Sequence, residues 1–184
     1  MRRNIQNQLF FVTILFFILG IFHISLAVFG LICFTLPFYQ YYKYRDKLWC
    51  KYYCPRAGIL TVIFGKIGLR KKLPNWIKNG KGKEIILYYF GVNLLFATMS
   101  TIMVSLGRID PIDHVRFLML FEIPIVLPQI LTYSAPSPAI HLGYRVYSMM
   151  LTSTIIGSVL AFLYLPRTWC MICPIQTLTT KKAP

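Results

Sequence analysis

Hydrophobic residues in this chain come in long blocks rather than in stripes. No charged residue stands between Asn4 and Tyr42, and residues 85–107 and 146–166 are also free of charge. A helix lying on a soluble core shows a polar stripe at the helical period, and these blocks show none. At 1.5 Å per residue, about twenty apolar residues cross a hydrocarbon layer of about 30 Å, so each block can span a membrane.

The first block, residues 9–38, exceeds one crossing: as a single helix it would be about 45 Å long. It would also place the N-terminus across the membrane from the basic loop that follows. The pattern instead predicts a short helical hairpin over residues 6–42, with legs near 6–21 and 26–41. The turn falls at Phe22-His23-Ile24-Ser25, with Gly20 beside it. Legs this short require a thinned bilayer or a turn held below the far surface. The tyrosines of residues 39–44 then make an interfacial belt.

Residues 58–73 interleave Leu60, Val62, Ile63, Ile67 and Leu69 with Lys66, Arg70, Lys71 and Lys72. This predicts a basic amphipathic helix in the headgroup plane, with a solvated basic linker as the other reading. Pro74 ends it, and Asn79-Gly80-Lys81-Gly82 is a solvated turn. Residues 84–107 are the next crossing, with Asn93, Thr98, Ser100 and Thr101 available for bonds between helices. In the outer segment, 108–143, residues 115–133 are broken by Glu122, Pro124 and Pro128 and read as interfacial or re-entrant; 134–138 is a turn. Residues 144–166 form the last crossing, and Ser153, Gly157 and Ala161 let another helix approach closely. The expected fold is an all-α polytopic membrane protein, one membrane domain over residues 1–184 with about four transmembrane helices.

The formal net charge of +15 raises the question of nucleic acid. Its distribution answers otherwise. Twelve of the twenty Lys and Arg lie between Lys43 and Lys83, whereas Arg108, Arg116 and Arg145 are matched by Asp110, Asp113 and Glu122. That asymmetry places the 43–83 loop in the cytoplasm, and Arg2 and Arg3 place the N-terminus there too. Lipid is the expected partner, and nucleic acid is not. The first apolar run lacks a small-residue cleavage site, so no signal peptide is expected.

Four of the five cysteines fall in two short stretches, Trp49-Cys50-Lys51-Tyr52-Tyr53-Cys54-Pro55 and Trp169-Cys170-Met171-Ile172-Cys173-Pro174. Each follows an apolar block, and each is followed by a Leu-Thr pair, Leu60-Thr61 and Leu178-Thr179. Two crossings separate the stretches, so both lie on one side, with both termini and the C-terminal tail, 167–184, in the cytoplasm. Cys50, Cys54, Cys170 and Cys173 are therefore the candidate ligands of one four-thiolate site. Four thiolates suit an iron–sulfur cluster, zinc or another metal. Thiol–disulfide chemistry with a quinone, the remaining alternative, is disfavoured by the reducing cytoplasm.

Paired Cys-x3-Cys-Pro and Cys-x2-Cys-Pro motifs at helix ends resemble those of polyferredoxin-type 4Fe-4S-binding membrane proteins. That group includes the membrane subunit accompanying periplasmic nitrate reductase and the membrane core of the nitrous-oxide-reductase accessory protein. Residues 147–157 running into Pro166-Arg167-Thr168-Trp169-Cys170 are similar to its short stand-alone members. The resemblance implies one [4Fe-4S] cluster at the cytoplasmic face of a prokaryotic inner membrane. It also implies electron relay between a membrane donor or quinone pool and a redox protein partner, by an electron-transfer subunit rather than a stand-alone enzyme. The chain lacks the soluble ferredoxin cysteine run and the flavin domain of larger members, so a partner must complete the electron chain. Four thiolates alone would also suit [2Fe-2S].

The other residues of interest have plainer readings. Cys33 lies mid-helix as a small apolar packer. His23, His114 and His141 fall near the far surface or a turn, without the pairing that a bis-histidine haem needs. Asp110, Asp113 and His114 read as a solvated turn rather than an outer metal site, and Asn93 as a packing residue rather than a quinone contact. Trp49 and Trp169 either shield the thiolates or anchor the interface. Lys47, Lys51, Arg56 and Arg167 either favour thiolate charge or follow the topology rule. No nucleophile–base set, phosphate loop or carboxylate pair appears.

Overall fold

The structure, a computed structural model, describes residue 6 and residues 8–46, 48–118, 121–122, 128–130 and 135–179. Its main helices are α1 (Phe10–Phe22), α2 (Gly30–Tyr44), α3 (Pro55–Ile67), α4 (Asn75–Lys78), α5 (Lys81–Ser105), α6 (Ser137–Leu163), α7 (Thr168–Ile172) and α8 (Pro174–Leu178). Three segments are long and apolar enough to cross a membrane: Ile24–Tyr44, Lys81–Ser105 and Ser137–Leu163. The helix Phe10–Phe22 is apolar but shorter. The chain divides into two compact units, one of residues 1–13, 32–90 and 154–184, the other of residues 14–31 and 91–153.

In the second unit, α1 ends at an extended residue, His23, whose Nδ1 accepts from the Ser25 N–H at 3.2 Å. A 3-10 turn, Ile24–Phe29, then leads into α2. A straight helix would separate residues 16 and 30 by about 21 Å. Instead the Phe16 ring fills the space where a Gly30 side chain would stand, so the chain doubles back here. A backbone break in an apolar region has to satisfy its own polar groups. Gln129 does so: its Oε1 accepts from the Ile24 N–H at 2.7 Å and its Nε2 donates to the Gly20 carbonyl at 3.5 Å.

The segment between α5 and α6 differs from an all-helical expectation. Residues Arg116–Phe117 and Phe121–Glu122 form a small antiparallel strand pair, β1 and β2. The irregular chain before it is pinned to α6. Backbone N–H groups of Ile112, Arg116 and Leu118 donate to His141 Nδ1, Ser148 Oγ and Thr152 Oγ1, at 3.2, 3.1 and 3.1 Å. Positions 141, 148 and 152 share one helix face because steps of seven and four return to it. Helix α6 begins at Ser137 rather than near 144, so His141, which read as a loop residue, lies within the helix and accepts from the Ile112 N–H. Much of the 115–133 stretch, expected to be interfacial or re-entrant, lies outside the described residues. Ile24, Ala27, Val115, Tyr144 and Tyr147 make the apolar core of this unit.

The first unit has its own core of Leu60, Ile77, Ala161, Trp169 and Ile172. Helix α3 starts at Pro55 and stops at Ile67, so the expected amphipathic helix over residues 58–73 is shorter and shifted. Beyond it the chain is irregular, with Arg70 at φ 49°, and the Leu69 and Lys71 N–H groups donate to the Phe162 and Leu163 carbonyls at 2.7 and 3.0 Å. Those carbonyls lie in the last turn of α6 and have no partner within the helix. Gly68 permits the approach: a side chain there would stand 3.1 Å from the Ala161 carbonyl. The small residues of α6 receive α3 and α7, since a side chain at Gly157 would meet Leu60 and Trp169 at 3.3 Å. Val62, Ile63, Ile67 and Leu69 remain exposed beside the basic residues of this region.

Candidate functional site

All five cysteines are free thiols and all belong to the first unit. The two motifs share a local structure. In each, the first cysteine lies in a single helical turn, Trp49–Tyr53 or Thr168–Ile172. The second cysteine is extended, with φ and ψ of −64° and 109° at Cys54 and −60° and 129° at Cys173. The next residue is a proline opening a new helix, Pro55 for α3 and Pro174 for α8. Proline suits a first helical position because its missing N–H has no partner there anyway, and it disfavours helical geometry at the residue before it. The Cys-Pro pair thus sets the break that turns each second cysteine out of its helix.

The motifs differ by one residue, and the structure shows where it goes. The first turn is of the wider π type, with the Cys54 N–H donating to the Trp49 carbonyl at 2.8 Å. An extra residue widens the turn instead of displacing the break. After the break the match resumes: Gly58 and Thr177, each four residues on, donate N–H to the Cys54 and Cys173 carbonyls at 3.2 and 3.0 Å.

Cys54, Cys170 and Cys173 lie near enough to influence one another's ionisation. The Cys170 thiol is pushed up to about 12, first by burial and then by the Cys54 and Cys173 charges, with Arg167 and Arg56 opposing. Burial also pushes the Cys173 thiol up, opposed chiefly by Arg56 and helped by Cys54; the backbone N–H groups of Gln176 and Ile175 at the start of α8 favour its thiolate. Two cationic side chains therefore face a cluster of thiols in apolar surroundings, which otherwise disfavour any thiolate. Cys33, read as an apolar packer, is half-buried in α2 and also within electrostatic reach of Cys54 and Arg56.

Among the described residues, no three His, Cys, Asp or Glu side chains stand close enough together to hold a metal ion. The donor set has the chemistry of a thiolate site, and its members share one compact unit, but they are not drawn to coordination distance.

The neighbouring tryptophans part ways. Trp169 is buried in the core with Leu60 and Ile172, so it walls the second motif rather than anchoring an interface. Its Nε1–H has no partner among the described residues. Trp49 is half-buried and stacks with Tyr53, ring centroids 6.5 Å apart. Lys51 lies over the Tyr52 ring at 5.2 Å, whereas Lys47 falls outside the described residues.

Sequence reasoning missed Gln6, which is fully buried. Its Nε2 donates to the Cys50 carbonyl at 3.3 Å, and its Oε1 accepts from Arg167 Nη2. A glutamine in a polar N-terminal stretch carries no local signal for such a role.

The histidines lie elsewhere, in the second unit. Arg116 joins His114 to Glu122: its Nε donates to His114 Nε2 at 3.0 Å and its Nη2 to Glu122 Oε1 at 2.9 Å, while His114 Nδ1–H donates to Asp113 Oδ1 at 2.9 Å. The ion pair in this partly exposed cluster, Arg116 with Glu122, lies across the paired strands β1 and β2. His141 is almost fully buried; because Nδ1 accepts from Ile112, its proton sits on Nε2, which donates to Ser100 Oγ at 2.9 Å. Both are accounted for by structure. No family model, curated protein or solved structure matches the chain.

Proposed function

We propose that this chain is a membrane-bound iron–sulfur electron-transfer protein whose Cys50, Cys54, Cys170 and Cys173 hold one cluster at the cytoplasmic face. The observation that carries the reading is the matched structure of the two motifs. A helical turn, an extended cysteine and a proline-started helix occur twice in one compact unit, and thiols from both copies interact electrostatically. The concentration of basic residues between Lys43 and Lys83 supports the cytoplasmic side.

The donor chemistry fits the group. Buried thiols that resist ionisation become good ligands once a cationic centre displaces their protons, and metal binding then supplies free energy to bring them to coordination distance. A bound cluster would supply one-electron transfer, and its nuclearity, [4Fe-4S], follows the motif resemblance. The chain's own residues do the rest. Arg56 and Arg167 offset the negative charge of the thiolates, which raises the potential of the centre they surround. Leu60, Trp169 and Ile172 keep water from one side of the second motif. A membrane donor or quinone pool on one side, and a redox protein on the other, complete the relay.

The test is substitution followed by metal analysis under anaerobic conditions. Cys54→Ser and Cys173→Ser are expected to lose iron and acid-labile sulfide, and Cys33→Ser to retain both. Stoichiometric zinc without sulfide in the unaltered chain would replace this reading with a structural or regulatory zinc site. Iron content indifferent to Cys173 would refute a site shared between the motifs.

A further inference from the structure

The N-terminal segment joins the two cysteine motifs through one side chain. Gln6 is fully buried, and its carboxamide has one acceptor and one donor end. The acceptor end takes a hydrogen bond from Arg167 Nη2, in the turn that leads into Cys170. The donor end reaches the carbonyl of Cys50 at 3.3 Å. One residue therefore touches the first ligand position of motif one and the cation beside the first ligand position of motif two. The approach is built in, because Gly58 leaves room for the Gln6 backbone where any side chain would collide with its carbonyl.

We infer that Gln6 is a positioning residue: it holds the Cys50 and Cys170 turns in register and fixes Arg167 beside the thiols. The chemistry selects a carboxamide. Glutamate would still accept from Arg167 but has no hydrogen to offer Cys50. Leucine fills the space and serves neither partner. Asparagine, one methylene shorter, cannot span both. The redox consequence of this inference rests on the proposed function, whereas the coupling between motifs does not.

The experiment uses the full chain in detergent or nanodiscs, with Gln6→Leu, Gln6→Asn and Gln6→Glu. In chain freed of metal by chelation, with Cys33, Cys50 and Cys170 replaced by serine, a short bis-thiol reagent such as dibromobimane joins Cys54 to Cys173. The expected result is a cross-linking rate at least fivefold lower in Gln6→Leu and Gln6→Asn, with unchanged helical circular dichroism and elution volume. If Gln6→Leu does not fold, the isopolar Gln6→Asn carries the comparison alone. Cross-linking at the unaltered rate in a folded Gln6→Asn chain would overturn the inference. In chain with all cysteines retained, a reductive titration followed by electron paramagnetic resonance is expected to show a lower midpoint potential in Gln6→Glu, where an added negative charge offsets Arg167; an unshifted potential overturns that part. Absence of iron and sulfide from every chain, including the unaltered one, would refute the cluster while leaving the cross-linking result to judge Gln6.

Discussion

The half-buried thiol of Cys170 makes a measurable prediction about reactivity. Its thiol is pushed up to about 12 by burial and by neighbouring Cys54 and Cys173. At pH 8 an ordinary thiol with pKa near 9 is about one-tenth ionised, and one near 12 only about one part in ten thousand, a difference of roughly a thousandfold. A more basic thiolate is also a better nucleophile, which returns about 15- to 30-fold over three units at a Brønsted slope near 0.4–0.5. The net expectation for the metal-free chain is reaction with a small disulfide reagent ~30- to 60-fold slower than a free cysteine, before any loss from poor access. The assay is timed labelling, peptide digestion and mass spectrometry, which keeps all five cysteines in place. The shape of the pH profile separates ionisation from access. Cys170 should gain about tenfold per pH unit beyond pH 10, where an exposed thiol has levelled off. A Cys170 rate that saturates near pH 9 would refute both the burial and the proximity of the other thiols. The sign for stability follows. The folded chain keeps the Cys170 proton to higher pH than the unfolded chain, so it binds more protons between about pH 9 and 12, and stability of the metal-free form falls across that window.

Further outcomes follow from named contacts. Arg56→Gln removes a cation that favours ionisation at Cys170 and Cys173, so both should label more slowly at pH 9 in the same assay. Gly58→Ala places a methyl group against the Gln6 carbonyl and is expected to cost about 1–3 kcal/mol, read by thermal unfolding in detergent. His141→Leu leaves the Ile112 N–H without its acceptor and Ser100 without its donor, a loss of about 1–3 kcal/mol by the same measurement; an unchanged midpoint would contradict the assigned bonds. Gln129→Leu should destabilise to a similar degree and speed hydrogen exchange at Ile24, whose N–H it leaves unmatched.

The fold was legible where the signal is length. Charge-free blocks mark the long apolar helices without help from tertiary structure, and the Cys-Pro pairs mark the breaks that follow each motif. The break near His23 was legible too, since one helix of that length overshoots a membrane. What the sequence hid was pairing at a distance. Residues 68–72 looked like more amphipathic helix because their non-helical path depends on the Phe162 and Leu163 carbonyls, some ninety positions away. His141 looked like a loop residue because the groups that satisfy it, Ile112 N–H and Ser100 Oγ, come from other segments. Ser148 and Thr152 fall inside the crossing expected over residues 144–166, and no local pattern marks them as the acceptors for the Arg116 and Leu118 N–H groups. At the site, cysteine spacing named the four candidate ligands, and the extra residue of the first motif became a wider turn. Gln6 stayed invisible, because a carboxamide acquires its role only when Cys50 and Arg167 are brought to its two ends.

The central claim is that four thiolates hold an iron–sulfur cluster, and one measurement addresses it most directly. The full chain, purified without oxygen, should be brown, contain about four iron and four sulfide per chain, and give an electron paramagnetic resonance signal on reduction. Colourless protein with neither iron nor acid-labile sulfide, or with zinc alone, would contradict the account.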